Sequence, residues 1–190
     1  NDIAVGMSNE SSAPIVATVT GSPTLDSWEA IASDVENIRR IRNVIYSNDN
    51  EDNNFIGIVF AGGYTDSLAS SYDASLKVFC TTALNMNTTS SKYRFLFSPH
   101  PGYDPMIYEV PRFKKWGCDE DIIRVLSENG FSTAEVVAAS NVSLSLCSTV
   151  GGQSLAISKP HSFIARNDTC ADVFTEAGLI PYSFTCKILD

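Results

Sequence analysis

The sequence predicts an α/β domain whose parallel sheet is doubly wound and covered by helices on both faces. Short β-branched or wholly apolar runs alternate with segments of helical period along nearly the whole chain. The run Phe55-Ile56-Gly57-Ile58-Val59-Phe60-Ala61 carries no polar side chain, as befits a central parallel strand buried on both faces. Residues 144–160 read as strand, small-residue turn, helix and the approach to a further strand, the order that right-handed crossovers build. Together these give a Rossmann-like sheet of about six strands.

Each element follows from local pattern. Asn1 to Pro14 is a polar leader, and the domain is expected over 15–190. Ile15-Val16-Ala17-Thr18-Val19 is a short strand closed by the turn Thr20-Gly21-Ser22-Pro23. Asp26 or Ser27 caps a helix over 28–45, where Ile31, Val35, Ile38, Ile41 and Ile45 recur every three or four residues. Residues 47–54 hold no apolar side chain and form a solvated loop. The strand over 55–61 ends at Gly62 and Gly63, and a helix follows from about 70 to 86 with Tyr72, Leu76, Phe79, Cys80 and Ala83 on its buried side. A strand over 93–97 leads into Ser98-Pro99-His100-Pro101-Gly102, after which Pro105, Pro111 and Gly117 deny the chain one long element. Next come a strand over 122–126 and the capping box Ser132-Thr133-Ala134-Glu135, which opens a helix reaching 139. The remainder is predicted as strand 141–147, helix 149–158, strand 161–165, helix 170–177 and a last short strand over 182–184.

Composition bounds the function. With 190 residues, 44% of them apolar, the chain suits one domain with a core of ordinary size. A formal charge of −9 argues against a sequence-independent grip on nucleic acid, which needs a basic surface to replace counterions. An anionic ligand would have to be held by local dipoles. The apolar runs fall far short of the roughly 18 residues of a membrane helix, so no membrane span is expected. The five cysteines, Cys80, Cys118, Cys147, Cys170 and Cys186, contain no C-x-x-C pair, which speaks against zinc. Their odd number leaves at least one unpaired within a chain, and the reading favoured is buried free thiols. Sequons begin at Asn9, Asn87, Asn141 and Asn167 and would mark a secretory or extracellular protein if used. A composition rich in Asn, Ser and Thr also produces such triplets by chance, so location stays open.

Two loops carry the chemistry. Ser148-Thr149-Val150-Gly151-Gly152-Gln153 opens a helix whose first turn has orphan N–H groups, a partial positive charge and little steric cover, which makes an anion seat. The same Ser-Thr would serve as a plain N-cap, and the glycines could instead permit close helix-to-strand packing. The second loop is that of His100. Ligands of open parallel sheets bind outside the carboxyl ends of the strands, so the two loops can converge on one site. Gly62 and Gly63 stand at such an end too, either admitting a ligand or making the turn.

With these residues in place, the chain resembles the C-terminal, donor-binding half of GT-B glycosyltransferases, whose architecture UDP-GlcNAc 2-epimerases share. The resemblance rests on the ordered set Thr20-Gly21-Ser22-Pro23-Thr24-Leu25-Asp26, Gly62-Gly63-Tyr64, Ser98-Pro99-His100-Pro101, Ser148-Thr149-Val150-Gly151-Gly152-Gln153 and Lys159-Pro160. It implies half of a GT-B fold, a nucleotide sugar or nucleotide as ligand, and phosphate contacts from Ser148, Thr149, Gly151 and Gly152. It makes His100 the phosphate or leaving-group partner and hence the catalytic candidate. Charge that builds on a departing phosphate would be stabilised by N–H groups and a histidine proton, so no metal is required. Bacterial sialyltransferases use a similar His-Pro and Ser-Ser/Thr pair, which keeps CMP-linked donors beside UDP-linked ones. Gln153 stands where many relatives have a glutamate for the ribose hydroxyls, and an amide gives up the charge-assisted part of that bond. The resemblance further implies a second, N-terminal GT-B domain or a partner chain to complete the active site. An epimerase-like relative and a stand-alone, non-catalytic binding or structural module are the alternatives.

Other candidates read more simply. His161, after Pro160, is expected to be a core or edge histidine. Asp119-Glu120-Asp121 is a solvated turn rather than a metal site, since adjacent residues seldom converge on one ion. Trp28 and Trp116 are packing residues. Glu109 is a candidate acid or base near the His100 loop that the sequence does not position.

Overall fold

The computed structural model describes residues 23–46, 55–63, 69–89, 92–126, 130–146, 148–165 and 185–187. Its elements in chain order are α1 (Pro23–Ser33), α2 (Val35–Tyr46), β1 (Ile56–Ala61), α3 (Ala69–Thr89), β2 (Tyr93–Ser98), α4 (Glu109–Lys115), β3 (Ile123–Val125), α5 (Thr133–Ala139), β4 (Val142–Ser145), α6 (Val150–Ala156), β5 (His161–Ala165) and β6 (Thr185–Lys187). The strands form one sheet in the order β3-β2-β1-β4-β5-β6, and every neighbouring pair is parallel. The chain starts in the middle at β1, moves outward to β3, then returns to the other side of β1 with β4. Successive loops therefore leave the carboxyl edge in opposite directions after β1 and β4, and a crevice opens between them.

Alternation along the central strands fills both layers. Ile58 and Phe60 of β1, with Phe95 and Phe97 of β2, face α3 and α4. Phe60 stacks on Phe97 with ring centroids 6.0 Å apart, and Phe79 of α3 meets Phe60 at 5.3 Å and Phe95 at 5.7 Å. Val59 and Leu96 point the other way into a second cluster with Trp28 of α1, Ile41 and Ile45 of α2, and Val136 and Val137 of α5. Such two-sided burial explains why β1 reads as a continuous apolar run.

The predicted helix over 28–45 is two helices. Asp34 interrupts the pattern, and its Oδ1 accepts the Asn37 N–H at 3.1 Å, so the carboxylate caps the start of α2. Arg42 then fastens α2 to the sheet. Its guanidinium donates to Ala139 O at 2.7 Å, and to Phe55 O and Asn141 Oδ1 at 2.8 Å each, while lying over the Phe55 ring at 4.3 Å. Asn141 Oδ1 also accepts the Gly57 N–H at 2.8 Å, so the residue that opens β4 braces β1.

The proline-rich segment after His100 still forms α4. Pro111 is its third residue, where an N–H would have no partner within the helix. One expectation is overturned: Cys80 of α3 and Cys118 are not free thiols but form a disulfide with Cα atoms 6.1 Å apart. Thiol spacing in the sequence held no sign of this, because α4 folds back to bring the two cysteines together. Cys147 and Cys170, the leader, the strand over 15–19, the loop over 47–54, the helix over 170–177 and the strand over 182–184 lie outside the described residues. The last described strand, β6, begins at Thr185.

Candidate functional site

Every residue singled out for binding stands at the carboxyl edge of the sheet. Gly62 and Gly63 follow β1, His100 follows β2, and the Ser148–Gln153 segment follows β4 and enters α6. Gly62 donates its N–H to Ser98 O at 2.7 Å, which carries the β1–β2 ladder one step past the strands. A Cβ there would lie 2.8 Å from Phe97 Cζ and 3.2 Å from Ser98 O, so close approach accounts for this glycine.

His100 is exposed and held by its own loop. Nδ1 accepts the Gly102 N–H at 3.2 Å, and the ring meets Tyr103 edge-on at 5.6 Å. A neutral ring so bonded carries its proton on Nε2. His100 lines a cleft of about 220 Å³ with Ser98, Tyr103, Phe131, Ser132 and Thr133. The wall at the start of α5 is a complete capping box: Ser132 Oγ accepts the Glu135 N–H at 3.3 Å, and Glu135 Oε2 accepts the Ser132 N–H at 2.7 Å. None of residues 148–153 lines this cleft. The structure therefore joins His100 to the start of α5, on the β3 side of the edge. The Ser148 turn belongs to β4, two ladder spacings or roughly 10 Å from β2.

Within that turn the groups divide. Ser148 Oγ accepts the Val150 N–H at 3.2 Å, whereas Thr149, which is exposed, makes no side-chain capping bond. The Gly151 N–H reaches Ser148 O at 3.1 Å, and the Gln153 N–H reaches Thr149 O at 3.2 Å. A Cβ on Gly151 would stand 2.6 Å from Phe163 Cζ, but one on Gly152 would meet nothing within 4 Å. Packing of α6 on β5 thus explains Gly151, and Gly152 is the sterically open member of the pair. Gln153 is half-buried.

Behind the turn lies a closed polar network. His161, 2% exposed, makes a 2.8 Å bond from Nδ1 to Ser143 Oγ and a 3.1 Å bond from Nε2 to Ser145 Oγ. Ser143 Oγ donates to Ser154 Oγ at 3.0 Å, and Ser154 Oγ donates to Val150 O at 2.7 Å. With one proton per hydroxyl, Ser143 must accept from Nδ1–H, and Nε2 accepts from Ser145. Burial pushes the His161 pKa down to about 4, so the ring is neutral. It is the core histidine expected from the sequence.

Glu109 is the residue whose importance the sequence concealed. It opens α4, is 2% exposed, and accepts the Tyr72 hydroxyl proton on Oε1 at 2.8 Å. Its Oε2 has no hydrogen-bond partner among the described residues. Burial raises its pKa, and the Tyr72 bond and Arg112 oppose that only in part. The Tyr72 hydroxyl also stands 3.1 Å from where a Cβ of Gly62 would be, which brings the carboxyl's partner to the tip of β1. The acidic trio is a turn: Asp119 Oδ1 accepts the Asp121 and Ile122 N–H groups at 3.2 and 3.3 Å. Among the described residues no cluster of His, Cys, Asp or Glu is arranged to hold a metal, and no described helix is long and apolar enough to cross a membrane.

Solved structures share this architecture. UDP-GlcNAc 2-epimerase from Methanocaldococcus jannaschii, in complex with UDP-GlcNAc and UDP, matches with a TM-score of 0.54 at 14% identity over 90% of this chain and 43% of that one. The Neisseria meningitidis UDP-GlcNAc 2-epimerase bound to UDP-GlcNAc matches with a TM-score of 0.52 at 11% identity, over 82% of this chain and 39% of that one. The wall teichoic acid polymerase TagF gives a TM-score of 0.48 at 18% identity over 83% of this chain and 34% of that one. No family model and no curated protein matches the sequence. The fold is thus a Rossmann-like α/β sheet that matches half of a GT-B fold, and the chain spans about two fifths of the epimerase chains it resembles.

Proposed function

We propose that this domain binds the nucleotide part of a nucleotide sugar along the carboxyl edge of its sheet, as the donor-binding half of a glycosyltransferase. The observation that carries the reading is the strand order β3-β2-β1-β4-β5-β6, whose reversal between β1 and β4 leaves a crevice at the edge where every candidate residue stands. The His100 cleft, with Phe131 and Tyr103 as flat walls and Ser98, Ser132 and Thr133 as polar groups, suits a base and ribose. A diphosphate would then extend past Gly62 and Gly63 towards Ser148, Thr149, Gly151 and Gly152, and Gln153, which does not line the His100 cleft, would face the sugar end of the donor rather than the ribose expected of it. His100 would present Nε2–H to developing phosphate charge, and the scheme calls for no metal. The bound UDP-GlcNAc of the two epimerase structures supports the choice of ligand class.

A complete active site calls for a second domain or a partner chain. The loop after β2 supports this, since Tyr103, Met106 and Ile107 are exposed apolar side chains on the ligand edge, Ile107 to 77%.

Thermal melting with UDP, CMP, GDP and their sugars at millimolar concentration tests the reading. A ligand that binds only the folded state at about one hundred times its Kd adds about 2.7 kcal/mol and must raise the midpoint. No shift with any of them overturns it. One observation favours the second reading, a non-catalytic module: Gly151 is accounted for by its contact with Phe163, with no ligand needed.

A further inference from the structure

We propose that Glu109 holds a buried proton and acts through the Tyr72 hydroxyl as a positioning residue for the Gly62-Gly63 turn, a role that rests on the ligand edge proposed above. Two contacts in series define the device. Tyr72 Oη packs against the Gly62-Gly63 turn, Tyr72 Oη–H donates to Glu109 Oε1 at 2.8 Å, and Glu109 Oε2 ends the series with no partner among the described residues. A carboxylate with one bare oxygen would sit in the interior with half its charge unmatched, whereas the neutral acid leaves only one hydroxyl unmatched.

Among the described residues the counter-charge is incomplete: Arg112 favours the carboxylate, but burial outweighs it. From α3, Tyr72 donates its single proton to Oε1, while Asp73 takes Arg112 Nε at 2.7 Å and so draws that cation towards itself. From the loop after β2, Asp104 adds a like charge that favours the protonated form. At the start of α4, the hydroxyl of the N-cap residue Tyr108 donates to Asp73 Oδ1 at 3.0 Å, and the Arg112 guanidinium lies over the Tyr108 ring at 3.4 Å. Desolvation is thus the leading influence on Glu109, and it favours the acid.

Tyr72 transmits that state to the edge. Its hydroxyl lies 3.1 Å from where a Cβ of Gly62 would be, so it also walls the turn sterically. Ionising Glu109 would polarise the Tyr72 hydroxyl and call water or a cation towards Oε2. Either response reaches the Gly62-Gly63 turn through the Tyr72 oxygen packed against it. In the neutral state the turn keeps a single pose beside the crevice.

The test is read first without ligand. The Gly63 amide resonance is followed from about pH 4 to about pH 8 in the wild type, Glu109→Gln and Tyr72→Phe. It should titrate in the wild type with a midpoint above that of an ordinary glutamate, and stay flat in both variants. A Gly63 resonance that does not move, or moves alike in Glu109→Gln, overturns the relay. Affinity for UDP and UDP-GlcNAc is read next. Wild-type binding should weaken by up to about tenfold per pH unit above that midpoint, while Glu109→Gln, permanently neutral, keeps its low-pH affinity. Identical pH profiles in the two proteins overturn the positioning role. If no nucleotide binds at any pH, the ligand reading falls, and the Gly63 titration still decides the relay.

Discussion

Gly151 and Phe163 touch so closely that no side chain fits between them: a Cβ on Gly151 would lie 2.6 Å from Phe163 Cζ and 3.1 Å from His161 Cδ2. Helix α6 is pressed on β5 at this point, and the Ser148 turn takes its position from that contact.

Gly151→Ala should therefore destabilise the fold by about 1–3 kcal/mol through overpacking, outweighing the gain in helix propensity. Gly152→Ala, in open space, should be neutral or stabilising by up to about 1 kcal/mol. Denaturant unfolding of the two variants measures the difference. Equal midpoints would show that α6 is not seated on β5 in this way.

A Ser148→Ala, Thr149→Ala double substitution should abolish any nucleotide-induced melting shift and leave the ligand-free midpoint within about 1 kcal/mol, since only Ser148 makes a capping bond. His100→Ala should weaken the same ligand without touching stability, because the ring is exposed. An undiminished shift in the double variant places the ligand elsewhere.

Acid should unfold the protein through His161. Its pKa falls to about 4 in the folded state from an ordinary 6.5, so the unfolded chain binds the proton more tightly. The neutral ring's contribution, roughly 3 kcal/mol at most, is fully present above about pH 6.5 and is lost as pH falls towards about 4. Melting midpoints over that window should decline less steeply in His161→Gln, whose amide gains no charge. Parallel slopes would mean that the acid sensitivity arises from other groups.

Reduction of the Cys80–Cys118 bond, which closes a loop of 38 residues, should cost about 3–4 kcal/mol by the chain-entropy relation. A reductant should lower the melting midpoint of the wild type and leave a Cys80→Ala, Cys118→Ala protein unchanged. Indifference of the wild type to reductant would show that the two sulfurs are not joined.

Much of this architecture is legible because its causes are local. Alternation puts Val59 and Phe60 on opposite faces, the Ser132–Glu135 box starts α5 where it is written, and Gly62 ends β1. One local signal was hidden by another: the isoleucine period runs straight through Asp34, whose capping carboxylate divides the helix all the same.

Local pattern also determined which residues gather at the carboxyl edge, since each candidate directly follows a strand. Tertiary structure alone decided the order of strands, and with it that His100 shares a cleft with Ser132 while the Ser148 turn begins two strands away. It alone paired Cys80 with Cys118 and buried Glu109 against Tyr72, 37 residues apart. Periodicity reports only which face of an element is apolar, whereas these contacts depend on where the crossovers return the chain. That depends on packing energies summed over both layers, which no short window of sequence contains.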